Sequence, residues 1–219
     1  MKTADECVLP DDRLYYVEHD LWLKPLGDVV RVGITQPLLF FTGKPRKISV
    51  RAAATLVRRR TAFAVVSTSK TDVAVLAPFE LRIQRVNDDI INDPSKLAED
   101  VYEKGWLAEI TTEHVFIGAM QADEAAKQYL GINRERGVVC LKAVPDYELP
   151  VFGETCENIL TQIGDFMRTH VGLGLMLHVI TGDPATEVDL IDWSQKTHHE
   201  LVDLKRVGKT LHAVFRKTS

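Results

Sequence analysis

Between residue 15 and about residue 110 the apolar positions fall in short extended runs: YYVEHDLWLKP, DVVRVGIT, KISVRAA, TAFAVVSTS, DVAVLAP, LRIQRVND and GWLAEIT. Val, Ile, Phe, Trp and Thr are dense in them, and glycine, proline or Asn-Asp pairs separate them, as strands require. This pattern predicts an all-β sandwich or barrel. At residue 120 it changes. MQADEAAKQYL is built from helix formers, and GINRERG, with a glycine at each end, predicts the end of that helix and a domain seam.

Beyond the seam the spacing differs again. GVVCLKAV and ELPVFG are extended, and then Cys156, Ile159, Leu160, Ile163, Phe166, Met167 and Val171 recur at intervals of three and four, one apolar stripe on a helix. LGLMLHVIT is too continuous for a one-sided strand and reads as a central strand covered on at least part of both faces. Asp183 as N-cap and Pro184 at the first helical position open a second helix. ELVDLKRVG and KTLHAVFRK read as strands meeting near Gly208. The expected fold class is therefore α+β. Residues 1–131 form an all-β domain with a C-terminal helix, 132–146 a linker, and 147–219 a two-layer α/β domain of order β-α-β-α-β-β.

Composition changes little in this picture. A chain of 219 residues with 45% apolar content can fill a core in each of two domains. The net charge of −4 argues neither for nor against a polyanionic partner, and the charge is unevenly placed. Asp5, Glu6, Asp11, Asp12, Glu18 and Asp20 crowd the start, whereas Lys44, Arg46, Lys47, Arg51, Arg58, Arg59 and Arg60 share residues 44–60 with no carboxylate. The Arg58–Arg60 run has no interleaved aromatic set, so it reads as a protein-docking or solvated face, and nucleic acid is not expected. No apolar leader core and no stretch near the ~20 residues of a membrane span is present, so a cytoplasmic protein without a membrane partner is expected. Cys7, Cys140 and Cys156 are odd in number and lack metal-like spacing, which suits free thiols in a reducing compartment. Cys140, in an apolar run, is expected to be a buried inert thiol and Cys7 part of a mobile tail. His198 and His199 have no third ligand at a recognisable spacing, so a solvated helix end is expected and no metal site.

Strand signals flank Ser69-Lys70-Thr71-Asp72, which places Lys70 at the tip of a tight hairpin with Asp72 helping the turn. Spacing alone fits a solvated lysine. It also fits an attachment point, because rigid flanks would present the amine of a swinging arm to a modifying enzyme. The surrounding residues add a family pattern. YYVEHDLWLKPLGDVVRVGIT, with Glu18, His19, Leu21, Trp22 and Gly33 to Thr35, resembles the opening of glycine-cleavage H proteins. LAPFELRIQRVNDDIINDPSKLAEDVYEKGWLAEI and MQADEAAKQYL resemble that family's later segment and C-terminal helix. Lys70 stands eight positions before Pro78, as the family's lipoyl-lysine stands before its proline. The resemblance implies a barrel-sandwich hybrid of the lipoyl-domain kind, covalent lipoate on Lys70, loading by a lipoate–protein ligase, and a carrier rather than an enzyme. Ser67 replaces the family's usual glutamate, Leu81 a glycine, and ISVRAAATLVRRR an often acidic stretch. Docking depends on electrostatic complementarity, so this basic stretch predicts a different partner.

Cys156 follows Thr155, a potential N-cap, and lies in the first turn of its helix, where the dipole favours a thiolate. Glu154, Glu157 and membership of the apolar stripe favour an inert core cysteine instead, and the residues leave both readings open. From 148 to 217 the chain resembles the small sulfur-carrier proteins of the TusA or SirA kind, whose GxxC leads into a helix and whose DPAT precedes the next. That resemblance implies a persulfide on Cys156, although Cys156 to Ile159 read CENI where the family has CPxP. Together the two resemblances imply a lipoyl carrier fused to a sulfur carrier, relaying sulfur or a dithiol-bound intermediate to sulfur-transfer or heterodisulfide-reductase-like enzymes. Two alternatives stand beside it: a glycine cleavage H protein carrying an aminomethyl group, and an adaptor in which neither Lys70 nor Cys156 is modified.

Overall fold

The computed structural model describes residues 2–4, 6–113, 116–182 and 185–219. The chain forms two compact units, Met1–Cys140 and Leu141–Ser219. In the first, β1 (Lys2–Ala4) and β2 (Cys7–Leu9) make a small hairpin, followed by β3 (Leu14–Tyr16), a single 3-10 turn at Val17–His19, β4 (Leu21–Leu26) and β5 (Val29–Ile34). Helix α1 (Gln36–Thr42) leads into β6 (Pro45–Val50), β7 (Leu56–Val57), β8 (Ala62–Thr68), β9 (Asp72–Leu76) and β10 (Leu81–Val86). Short helices α2 (Asp88–Asn92) and α3 (Ser95–Glu99), strand β11 (Ala108–Thr111) and helix α4 (Ala122–Arg136) complete the unit. A six-stranded sheet has the order β3-β4-β5-β11-β10-β7, and a three-stranded sheet has the order β6-β8-β9.

Alternation decides which side of each strand is buried. In β8 buried Ala64 and Val66 flank exposed Val65, Val66 pairs with buried Ile48 of β6, and Phe63 is buried as well where the register to β9 shifts between Ala62 and Ala64. Trp22 of β4 lies directly opposite Gly33 of β5. A Cβ at residue 33 would fall 2.5 Å from the indole ring, so only glycine lets the ring lie on the neighbouring strand. Above the same tryptophan, the buried Arg13 guanidinium stacks 4.9 Å from its ring and 5.0 Å from that of Tyr102. Arg13 pairs with Asp12 at 2.8 Å and Glu103 at 2.7 Å. Burial pushes the Asp12 carboxyl up, but hydrogen bonds from Arg13 and Lys24 outweigh it and hold Asp12 at about 2.

Two expectations change here. Residues 132–136, assigned from sequence to the linker, are the last turn of α4. Gly131 costs the helix about 1 kcal/mol, but Tyr129 and Asn133, one turn apart, are both fully buried and hold it. The helix ends at Gly137 instead, with Val138 N donating to Asn133 O at 2.8 Å. The second change concerns the thiols. Cys7 and Cys140 form a disulfide with an S–S distance of 2.03 Å, so neither is the free thiol expected and Cys7 is not in a mobile tail. The β1–β2 hairpin packs on α4, and this contact brings together two cysteines separated by 133 residues. No spacing rule could reveal that pair, and a disulfide removes the cysteine-based reason to expect a reducing compartment.

The second unit contains β12 (Tyr147–Val151), α5 (Cys156–Thr169), β13 (Met176–Thr181), α6 (Thr186–Thr197), β14 (Glu200–Val207) and β15 (Thr210–Arg216), with sheet order β12-β13-β15-β14. β12 and β13 are parallel, and the other pairs are antiparallel. Ile159, Ile163 and Met167 of α5 and Leu190 of α6 share one core with Leu177, Val179, Ala213 and Phe215, so both helices cover the same sheet face. On the other face His178 Nε2 and His212 Nδ1 are 3.0 Å apart, both buried. Burial, with His178 adding to it, lowers His212 to about 4. The cap expected at Asp183 and Pro184 lies outside the described residues. Among the described residues no helix is long and apolar enough to cross a membrane, and no group of three potential metal ligands occurs.

Candidate functional site

Lys70 lies where the hairpin pattern puts it, exposed on the turn between β8 and β9. The turn is held by a residue that the sequence reading passed over. Thr68 Oγ1 accepts from Lys70 N at 3.2 Å and Thr71 N at 3.1 Å, and donates to Thr42 O at 2.6 Å. Thr68 N donates to Thr71 O at 2.9 Å, and Ser69 N to Lys44 O at 2.9 Å. The tip is thus fastened both within itself and to the end of α1, which fixes the backbone while leaving the side chain at the surface. A threonine two residues before the tip is the signal that could have found this, because its hydroxyl can bond backbone groups two and three residues on.

The lysine stem runs over Gly43, the residue that closes α1 with φ +92°. A Cβ there would lie 2.5 Å from Ser69 Oγ and 3.2 Å from Lys70 Cγ, so a side chain at 43 would displace the turn. Lys70 Nζ donates a long 3.5 Å hydrogen bond to Phe41 O. The cradle at Gly43, the fastened turn and the exposed amine fit an amide-linked arm.

Behind Phe41 stands a buried polar group that sequence reasoning did not identify. Arg136, from the end of α4, lies 5.1 Å over the Phe41 ring, and its Nη1 bridges both oxygens of Asp20 at 3.1 and 3.0 Å. Tyr129 donates to Asp20 Oδ1 at 3.1 Å, and Thr35 Oγ1 is 3.2 Å from the Tyr129 hydroxyl. Burial raises the Asp20 carboxyl, opposed by Arg136, and burial beside Asp20 drives the Tyr129 phenol well above its usual range. Asp20, with φ 52°, closes the 3-10 turn and is placed by it to meet α4. This group joins the EHD and VGIT segments to the C-terminal helix of the unit.

Cys156 is the first residue of α5, half-buried, and Thr155 caps the helix by accepting from Asn158 N at 3.4 Å. The thiol donates to Asp189 Oδ2 of α6 at 2.6 Å. Asp189 is the partner that sequence spacing did not reveal. His198 is the exposed left-handed C-cap of α6 and His199 is half-buried beside Trp193, with ring centroids 5.6 Å apart. Among the described residues neither histidine is bonded to Cys156.

The sequence model described as Glycine cleavage H-protein matches residues 14–130, more than half of the chain. The chain belongs to the glycine cleavage H-protein family. Glycine cleavage system H protein 5 of Aquifex aeolicus is 27% identical over 147 residues, covering 64% of this chain and 99% of that protein. A probable glycine cleavage system H protein 2 of Sulfurisphaera tokodaii is 32% identical over 113 residues, covering 50% of this chain and 76% of that protein. The crystal structure of a glycine cleavage system H protein from Mycobacterium marinum superposes with a TM-score of 0.50 at 28% identity, covering 55% of this chain and 98% of that one. The first unit is therefore a β-rich lipoyl-type domain. Proteins of this family are non-catalytic carriers that hold lipoate covalently on a lysine.

Proposed function

We propose that this H-protein-family chain is a lipoyl carrier whose arm is amide-linked to Lys70 Nζ and which serves partner enzymes in the manner of a glycine cleavage H protein. The observation behind this reading is the Lys70 turn, rigid in its backbone through Thr68 and Ser69 and with the lysine exposed at the surface. Loading would join Nζ to an activated lipoyl carboxyl: the amide C–N bond forms, the bond to the activating leaving group breaks, and Nζ gives up its protons to solvent or a base of the ligase. The bound group would supply a dithiolane that opens to accept two electrons or a transferred group. The chain's own residues do the rest. Thr68 and Gly43 set the direction of the arm, and Phe41, backed by Arg136, gives its base an apolar support. Intact-mass analysis of the protein from its native host tests the reading, with Lys70→Arg as control. An unmodified wild-type chain rejects it.

A second reading rests on Cys156. A capped helix start and a cysteine outside any disulfide support the sulfur-relay role implied by the TusA or SirA resemblance of the second unit. The family match ends at residue 130, so it lends this reading nothing. The Asp189 carboxylate works against a thiolate at the sulfur. Of the two cargoes, the aminomethyl group of glycine cleavage is the better supported. Exchange of glycine carboxyl carbon with bicarbonate in the presence of the glycine decarboxylase tests it, and sulfane sulfur on Cys156 after exposure to a donor tests the other.

A further inference from the structure

The three-stranded sheet that presents Lys70 has an outward face of unusual composition. Register places Lys47, Ser67 and Asp72 in one row and Ser49, Val65 and Ala74 in the next, with Leu76 opposite Ala62 beyond them. Val65 is 38% and Leu76 37% exposed, so an aliphatic strip runs up the middle of the face. Arg46 and Lys47 of β6 and Arg51 just beyond it border the strip and are exposed, with Arg51 Nε donating to Ala62 O at 2.6 Å. None of the ion pairs among the described residues involves these three cations, and residues 44–60 contain no carboxylate. An aliphatic centre bordered on its β6 side by cations alone, with exposed Asp72 as the carboxylate on the β9 side, is the make-up of a docking patch, and the cationic border selects the partner.

We infer that this face of β6, β8 and β9 is the docking surface for the enzyme that acylates Lys70, and that this enzyme meets it with an acidic surface. The inference rests on the Lys70 attachment reading. An acylating enzyme must bring its active site to Nζ and so must touch the flanks of the hairpin, whereas an enzyme acting on a loaded arm meets its far end. That difference assigns the patch to the loading enzyme. Val65, Ala74 and Leu76 offer no stacking plane for a base, which argues against single-stranded nucleic acid as the occupant.

The test is a time course of acylation. Unmodified full-length protein is mixed with clarified native-host extract, lipoate and ATP, and modification is followed by intact mass. At about 50 mM salt the Lys47→Glu/Arg51→Glu variant should be acylated about tenfold or more slowly than wild type, and the gap should narrow near about 300 mM as screening grows. Arg168→Glu, an exposed cation of the second unit, should match wild type. If the double variant also unfolds at lower temperature, Lys47→Gln/Arg51→Gln decides, and an intermediate rate is expected. Equal rates for the wild type and the charge-altered variants overturn the docking inference alone. A wild type that is never acylated overturns the attachment reading and the inference with it. Charge-dependent binding of single-stranded DNA with unaltered acylation also overturns it.

Discussion

Lys70 and Cys156 both occupy positions where sequence patterns place a carrier group, yet the structure treats them in opposite ways. Around Lys70 the hydrogen bonds of the turn go to backbone groups, and the side chain that ends in the reactive atom is exposed. At Cys156 the contact falls on the reactive atom itself, 2.6 Å from a carboxylate. A carrier needs a fixed base and an accessible end. Lys70 has both, whereas Cys156 has the fixed base, through Thr155, and a sulfur whose proton is engaged. The two sites therefore differ in which atoms the fold restrains, the backbone at Lys70 and the sulfur at Cys156.

The largest effect that would break this contrast is at the amine. Lys70→Arg should abolish arm attachment completely while Cys156→Ser leaves it unchanged, read by intact mass. Next comes the covalent tie of the first unit. Replacing Cys140 by serine removes a loop spanning 133 residues and should lower that unit's stability by about 4 kcal/mol, measured by denaturant unfolding. The second unit answers to acid instead. His212 has a folded value of about 4 against 6.5 unfolded. The unfolded chain therefore binds the extra proton between those values, and this stability is fully present above pH 6.5 and lost as pH falls toward 4. The loss is about 3 kcal/mol at most, and His212→Gln should flatten it in thermal melts. A smaller change sharpens the comparison at sulfur. Asp189→Asn removes the negative charge beside Cys156 and should speed its alkylation about tenfold near neutral pH. Last, Thr68→Val should cost about 1 kcal/mol and raise amide exchange at residues 69–71, leaving the core strands protected.

Much of this was legible in the residues. Alternation in TAFAVVSTS and DVAVLAP marks β8 and β9, and the break between them marks the turn. The three- and four-residue stripe from Cys156 gives α5, because the burial of Ile159, Ile163 and Met167 follows helical geometry. Other features were hidden for physical reasons. Helix α1 is a short apolar run, which periodicity cannot separate from a strand. α4 continues past Gly131 because contacts at Tyr129 and Asn133 outweigh a local propensity. Arg136, Asp20 and Tyr129 come from distant segments, so no window of sequence contains their pairing.

By itself the sequence determined the local choices: where strands and helices form, which faces are apolar, and that a lysine stands between two strands eight positions before a proline. These follow from short-range sterics and from the period of apolar residues, and both are written in neighbouring positions. Only the tertiary structure decided that Cys7 meets Cys140, that Arg136 lies over Phe41 behind Lys70, and that Cys156 faces Asp189. Each of those contacts joins residues from separate elements, and its geometry exists only once packing has brought their surfaces together.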